Sequence, residues 1–291
     1  MPMSTAGKVI TFPWSVLVTA GSFLVEVLGI VLSPVLMVAL ALLELLFAVP
    51  ILGRALRQIW SIGLEIVYRI LGLFDLLLGA IGLRPEKKLR VAVVLLKDAS
   101  GTPVVETTSV VEEIQAAIDI YSDQANVRVV PMSWFHLSSP FCSAGTADES
   151  WVAVPDGPSD SSVLDVSTNV AAWGEDLWMT GTRFHGLAAW IWKWGLPRRL
   201  LGYGAPVTVF VVRTIDGATG VSLGPLSDYI TEVGTETADK TTIAHELGHA
   251  CGLWHQGEGD NLMYSYDSND RRKMTLFQAL VVRNSRHVTY F

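Results

Sequence analysis

HELGHACGLWH, residues 245–255, is the stretch on which the reading of this chain turns. His245 and His249 are four apart, so on a helix they stand on one face, one turn from each other. Zinc takes imidazole nitrogens at about 2.0–2.1 Å in a near-tetrahedral set, and two rings at this spacing can converge on one ion. Glu246 follows the first of them and can sit beside the metal without ligating it. A general base that takes a proton from water at the metal must stand there. Gly252 lies three residues after His249. Glycine enters the left-handed region without a Cβ penalty, so it can end the helix and reverse the chain. That reversal returns His255 as a third ligand. Three protein ligands leave one position open to water, the arrangement of a catalytic zinc rather than a structural one. Five fixed positions at roughly one in twenty each give on the order of one chance match in ten thousand chains of this length.

The pattern HExxHxxGxxH resembles the metzincin clan of zinc peptidases, and is closest to its matrixin-like branch. Residues 261–264 read NLMY, and Met263 stands eight residues past His255. There the resemblance implies the methionine of a Met-turn, an apolar floor under the metal and not a ligand. It also implies an α+β fold in the order strand, helix, mixed sheet, active-site helix, Met-turn, final helix. The likeness is strong over residues 237–264, topological over 89–291, and does not cover 1–84. Ser265 stands where some metzincins carry a tyrosine two residues after the methionine, and Tyr264 and Tyr266 read as pocket wall or core. No cysteine in a PRCGxPD context precedes the domain, and Cys142, in PFCSAG, lies inside it, so latency by a cysteine switch is not expected. His136, His185 and His287 are scattered and read as structural or exposed. Asp267, Asn269 and Asp270 read as a solvated turn, because a calcium loop needs more oxygen ligands in better spacing.

Working outward, residues 237–251 form the helix that carries the motif. Leu89–Leu96 is a continuous β-branched run, hence a buried strand. Residues 109–124 are an amphipathic helix with Val110, Ile114, Ala117, Ile118 and Tyr121 on one side. Asn126–Pro131 is a second strand, and the three together make a parallel crossover unit. Residues 139–162, rich in Ser, Pro, Gly and Asp, read as a long surface loop. Residues 169–204 hold five tryptophans, among them the run AAWIWKWG, read as core packing of an inserted segment or as a headgroup anchor. Val207–Arg213 is a strand, Asp216-Gly217 a turn, and Val221–Ile230 a short edge strand. The resemblance implies that a substrate would pair along Val221–Leu226 by strand addition. Thr275 and Gln278 offer a capping box to a final helix over 275–286.

The 291 residues are 50% hydrophobic with 17% charged and a mean hydropathy of +0.40, which excludes intrinsic disorder. The apolar residues are unevenly spread: residues 9–83 hold 51 hydrophobic residues out of 75. Residues 14–32 and 35–53 approach the length a spanning helix needs, with Ser33-Pro34 as a helix start between them. Over 54–83, Arg54, Gln58, Ser61, Glu65, Arg69, Gly72 and Asp75 recur every three or four residues, a narrow polar stripe on a long apolar helix. The stripe fits a seam in a membrane bundle, a wet face on a helix lying in the interface, or a thin wet face on a soluble bundle. Residues 85–291 carry 16 basic and 24 acidic side chains, a net of −8, which argues against a nucleic-acid partner. Arg84, Lys87, Lys88 and Arg90 form a basic cluster at the junction, read as a membrane-surface collar or a solvated linker. Two cysteines cannot build a disulfide framework.

The expectation is therefore two parts: a hydrophobic helical, membrane-associated region over 1–84 and a zinc metallopeptidase domain over 85–291. The expected activity is a membrane-attached zinc endopeptidase. His245, His249 and His255 would hold Zn2+, Glu246 would be the general base, and Met263 would be the structural methionine. Its partners would be a peptide or protein substrate, a lipid membrane through residues 9–83, and a second copy through the helical region. The side of the membrane is left open by the charge bias. Two rivals stand beside it: a structural or pore-forming helical assembly with a zinc-binding cap, and a catalytically silent peptide-binding module.

Overall fold

The structure, a computed structural model, describes residues 52–132, 142–144, 151–155, 161–166, 201–234 and 239–291, with isolated positions among 35–49 and at 159 and 198. The expected helix over 14–32, residues 237–238, the tryptophans from Trp173 to Trp194, His136 and His185 lie outside the described residues.

Strand β1 (Lys87–Leu95) is the spine of an eight-stranded mixed sheet. Its first half pairs in parallel with β2 (Val127–Pro131) and antiparallel with β10 (Val288–Thr289). Its second half pairs in parallel with β4 (Val152–Pro155) and β6 (Val207–Val212). Beyond β4 lies β3 (Cys142–Ala144), antiparallel. Beyond β6 come β9 (Tyr229–Val233), parallel, and β8 (Gly220–Ser222), antiparallel, at the sheet edge. A two-stranded ribbon of β5 (Asp165–Val166) and β7 (Thr214–Ile215) stands apart.

The period of two sorts β1 to two faces. Leu89, Val91, Val93 and Leu95 enter a core with helix α3 (Thr107–Ala125), the motif helix α5 (Thr242–Ala250) and helix α6 (Leu276–Arg283). Ala92, Val94 and Leu96 enter a second core with Val163 and Leu164 of the one-turn α4 (Ser161–Leu164), Phe210 and Tyr229. β1, α3 and β2 make the expected crossover, and a capping box on Thr275 and Gln278 opens α6. The mixed sheet and its helices are consistent with the α+β class.

Four readings are corrected. Residues 139–162, read as a loop, include β3, β4 and the start of α4. Val221–Ile230 is not one strand: the chain turns through a 3-10 helix at Gly224–Leu226 between β8 and β9, where Gly224 has φ +61°. Residues 54–83 are not one helix but α1 (Leu52–Leu71) and α2 (Leu73–Ala80), parted at Gly72. Residues 87–88 begin β1 rather than ending a linker, and Lys87 is turned inward. Among the described residues no helix is long and apolar enough to cross a membrane.

The polar stripe faces the protein. Ser61 Oγ donates to the Pro225 carbonyl at 2.7 Å. Glu65, 4% exposed, pairs with Arg69 at 2.7 Å and with Arg286 at 3.6 Å. Asn284 donates to the Arg69 carbonyl at 3.1 Å. Asp75 pairs with Lys87 at 2.7 Å and accepts from Tyr290. A Cβ at Gly72 would collide with Asn284 Oδ1, so the break at that residue lets the two helices follow the domain surface.

Candidate metal centre

Helix α5 is buried along nearly its whole length. Its entry is held by Asp239, whose Oδ1 accepts from the Thr241 backbone N–H at 2.9 Å and the Thr241 hydroxyl at 2.7 Å. The other oxygen pairs with buried Arg271 at 2.7 Å and accepts from the Ser268 N–H, also at 2.7 Å. Its exit is a Schellman closure: Gly252 N–H donates to His249 O at 2.7 Å and Leu253 N–H to Gly248 O at 2.9 Å. Gly252 has φ +88°, as the motif requires of the residue that reverses the chain. Arg69 of α1 donates to the Cys251 carbonyl at 2.7 Å, a cation at the carbonyl end of α5.

The reversal brings His255 back to the first two rings. The three Nε2 atoms form a triangle with sides of 3.1 Å (His245–His249), 3.1 Å (His249–His255) and 3.3 Å (His245–His255). Ligands at about 2.0–2.1 Å in a tetrahedron stand roughly 3.3–3.4 Å apart, close to this triangle. His245 Nδ1 donates to the Leu262 carbonyl at 2.7 Å, and His249 Nδ1 to the Leu253 carbonyl at 2.9 Å. These bonds put the proton on Nδ1 and leave the Nε2 lone pairs aimed at each other. Converging lone pairs repel unless a cation lies between them. The group can thus hold a metal ion, and among the described residues it is the sole such cluster.

Burial, with Arg271 beside it, lowers the His245 pKa to about 3. Burial also lowers that of His249. Both rings are therefore neutral, as ligation demands. Glu246 is 5% exposed and burial raises its pKa to about 8. Its Oε2 is buried and makes no hydrogen bond. Gly220 of β8 abuts this carboxyl, since a Cβ there would come within 2.8 Å of Oε1. The edge strand and the candidate base therefore touch.

Met263 is fully buried beneath α5, and a Cβ at Gly248 would stand 2.6 Å from its sulfur. The turn that carries it is fixed by Asn261, whose Oδ1 accepts from Met263 N–H while its amide exchanges two 2.9 Å bonds with Gln278. The three histidines are therefore brought to one place, with Met263 against the helix that carries two of them, while the Glu246 carboxyl lies against β8. His287, read as structural or exposed, is buried and donates to the Ala205 carbonyl at 2.6 Å. Tyr266 is exposed rather than core. Within the turn read as solvated, Asp267 pairs with Arg271 and Asn269 accepts from the Lys240 N–H at 3.0 Å.

Sequence reasoning missed three supports of the centre: the Asp239–Arg271 pair, the Arg69 contact, and the buried carboxyls Glu113 and Glu232 behind Glu246. Only the Arg69 contact had a signal, its place on the polar stripe. No family model matches the chain, and no curated protein matches it.

Proposed function

We propose that the protein is a membrane-attached zinc endopeptidase on a metzincin-like scaffold. The observation that carries this reading is the triangle of imidazole nitrogens, two of them on a helix that also bears Glu246, whose buried Oε2 has no hydrogen-bond partner. Zinc, when bound, supplies a Lewis acid that polarises the scissile carbonyl and acidifies the attacking water. His245, His249 and His255 hold the ion, with two rings oriented by their carbonyl partners. Glu246 takes the proton of the water and later passes it to the leaving amine. Burial raises its proton affinity, and a cation held by the three rings would lower it toward the operating range of a general base. The substrate lies extended along β8, where backbone pairing at Gly220–Ser222 delivers it past Glu246. Met263 supports α5 from below at Gly248.

The three-histidine set with a free carboxylate favours the hydrolase over a silent binding module, which has no use for an orphaned base. The test is Glu246→Gln. The variant retains one zinc per chain by elemental analysis and loses hydrolysis of a peptide library by at least about 100-fold, the lower range of general base contributions. Activity equal to the parent protein overturns the assignment.

A further inference from the structure

Outward from the domain, α1 and α2 present Ile59, Ile66, Ile70, Phe74, Leu77 and Ile81, each more than half exposed. Steps of seven, four, four, three and four keep them on one side through the break at Gly72. The opposite side is committed: Ser61, Glu65, Arg69 and Asp75 are bonded into the domain. α1 cannot cross a bilayer without tearing Glu65 from Arg286 and Arg69 from the Cys251 carbonyl, and polar groups left without those partners in hydrocarbon are costly.

Resting on the membrane-attached peptidase reading, we propose that α1 and α2 lie in the plane of the bilayer surface. They hold the metal centre just above the headgroups, and its substrates are polypeptide segments at that surface. Three observations favour a lipid bilayer over another cover. The described helical positions upstream, Val35, Val38, Leu42 and Leu45, are themselves more than half exposed, so they add apolar surface. Lys88 on β1 pairs in register with Arg128 on β2 and lies near Arg90 and Arg198, with Glu86, 3.2 Å from Arg128, the acid among these four cations. This basic patch follows α2 on a domain of net negative charge, and anionic headgroups complement it. Apolar residues continue beyond the two helices: α6 packs on α2 at Gly79 through Leu280, and Phe277, one turn before Leu280, is 75% exposed.

The depth follows from Arg69. Its guanidinium reaches from α1 to the Cys251 carbonyl, so one side chain separates the in-plane helix from the turn that delivers His255. The turn that delivers His255 therefore lies close to the in-plane helix. Trp254, beside His255, is 84% exposed, a residue type at home in the headgroup layer.

The test uses the zinc-loaded full chain with Cys142→Ser and one cysteine introduced at Ile59, Ile66, Phe74 or Leu77, labelled with a fluorophore under native conditions in which the remaining Cys251 is buried. Vesicles of phosphatidylcholine and phosphatidylglycerol contain lipids with quenchers at graded depth. All four labels at one shallow depth, roughly 5–10 Å below the headgroup boundary, support the inference. Depths that run from one surface to the bilayer centre overturn it in favour of a spanning helix. Unquenched labels on a chain that still sediments with vesicles overturn it as well, and show that a second copy or residues 1–51 cover the face. Failure to sediment removes the membrane attachment too. The substrate class is read separately: a library-selected peptide given an acyl anchor is cut on vesicles on the order of tenfold faster than its unanchored form. Equal rates overturn the substrate class and leave the peptidase standing, whereas no cleavage of any peptide removes the peptidase reading and leaves the depth result intact.

Discussion

Gly252 meets two constraints at once. Its φ of +88° is strained for any residue with a Cβ, and a Cβ there would stand 2.5 Å from Arg69 Nη2. Gly252→Ala therefore costs roughly 1–2 kcal/mol in backbone strain and displaces the cation that caps α5. Thermal unfolding reads the first effect as a lowered Tm, and a zinc titration reads the second as weaker binding, because His255 follows the reversal. Unchanged zinc affinity would show that the turn does not place the ligand. Glu232 works through protons instead. It is fully buried and faces Glu113, with which it can share a hydrogen bond only when one of the two carboxyls is protonated. Burial, and then Glu113 facing it, raises its pKa well above 4.5, and burial likewise raises that of Glu113. The folded state therefore holds a proton that the unfolded chain releases, and its stabilising effect is present below the unfolded value and lost as pH rises. Glu232→Gln keeps the shape without the titration. It unfolds at higher denaturant than the parent at pH 7, by roughly 1–3 kcal/mol, and the difference vanishes near pH 4. A gain that persists unchanged at pH 4 would mean that packing, not the proton, is responsible.

Among elements, legibility followed period and punctuation. β1, α3 and β2 could be read because a β-branched run and an amphipathic helix carry their burial in their own spacing. α6 could be read because its cap is local: Thr275 Oγ1 accepts from Gln278 N–H at 3.2 Å, and Gln278 Oε1 accepts from Thr275 N–H at 2.8 Å. Thr275→Ala removes one half of that box and lowers stability by about 1 kcal/mol in denaturant unfolding, without altering zinc stoichiometry. The metal centre was legible for a similar reason, since four of its five residues fall within eleven positions. β3, β4 and the 3-10 turn were not legible, because short strands amid Ser, Pro and Gly take their conformation from partners far along the chain. The stripe on α1 was seen at the right residues, but its period could not say what it faced. A face that binds a domain and one that meets water both favour polar residues. What separates them is Glu65, whose neutralising partner Arg286 lies more than two hundred residues away.

Seen across the whole molecule, the same distant pairings decide how the chain divides. Arg283, Arg286 and Lys87 are each 5% exposed or less, and all belong to the sequence-defined peptidase region. Their counter-charges come largely from before it: Glu65 stands 3.6 Å from Arg286, and Asp75 stands 3.9 Å from Arg283 and 2.7 Å from Lys87. Among the described residues, Asp228 is the one such acid from within the domain, paired with Arg286. Breaking a buried pair by removing one partner costs about 3–5 kcal/mol, and a small domain has only about 5–15 kcal/mol in total. Removal of residues 1–84 also opens the turn at Cys251 and the Pro225 carbonyl by deleting Arg69 and Ser61. A chain beginning at Pro85 is therefore expected to be insoluble or to unfold without a cooperative transition. A chain beginning at Leu52 keeps every one of these partners, so in detergent it unfolds cooperatively and binds one zinc. Circular dichroism melts and zinc stoichiometry of the two chains side by side give the answer. If the shorter chain melts as cooperatively as the longer one and at the same temperature, α1 and α2 are a passenger on the domain and the buried charges are satisfied some other way.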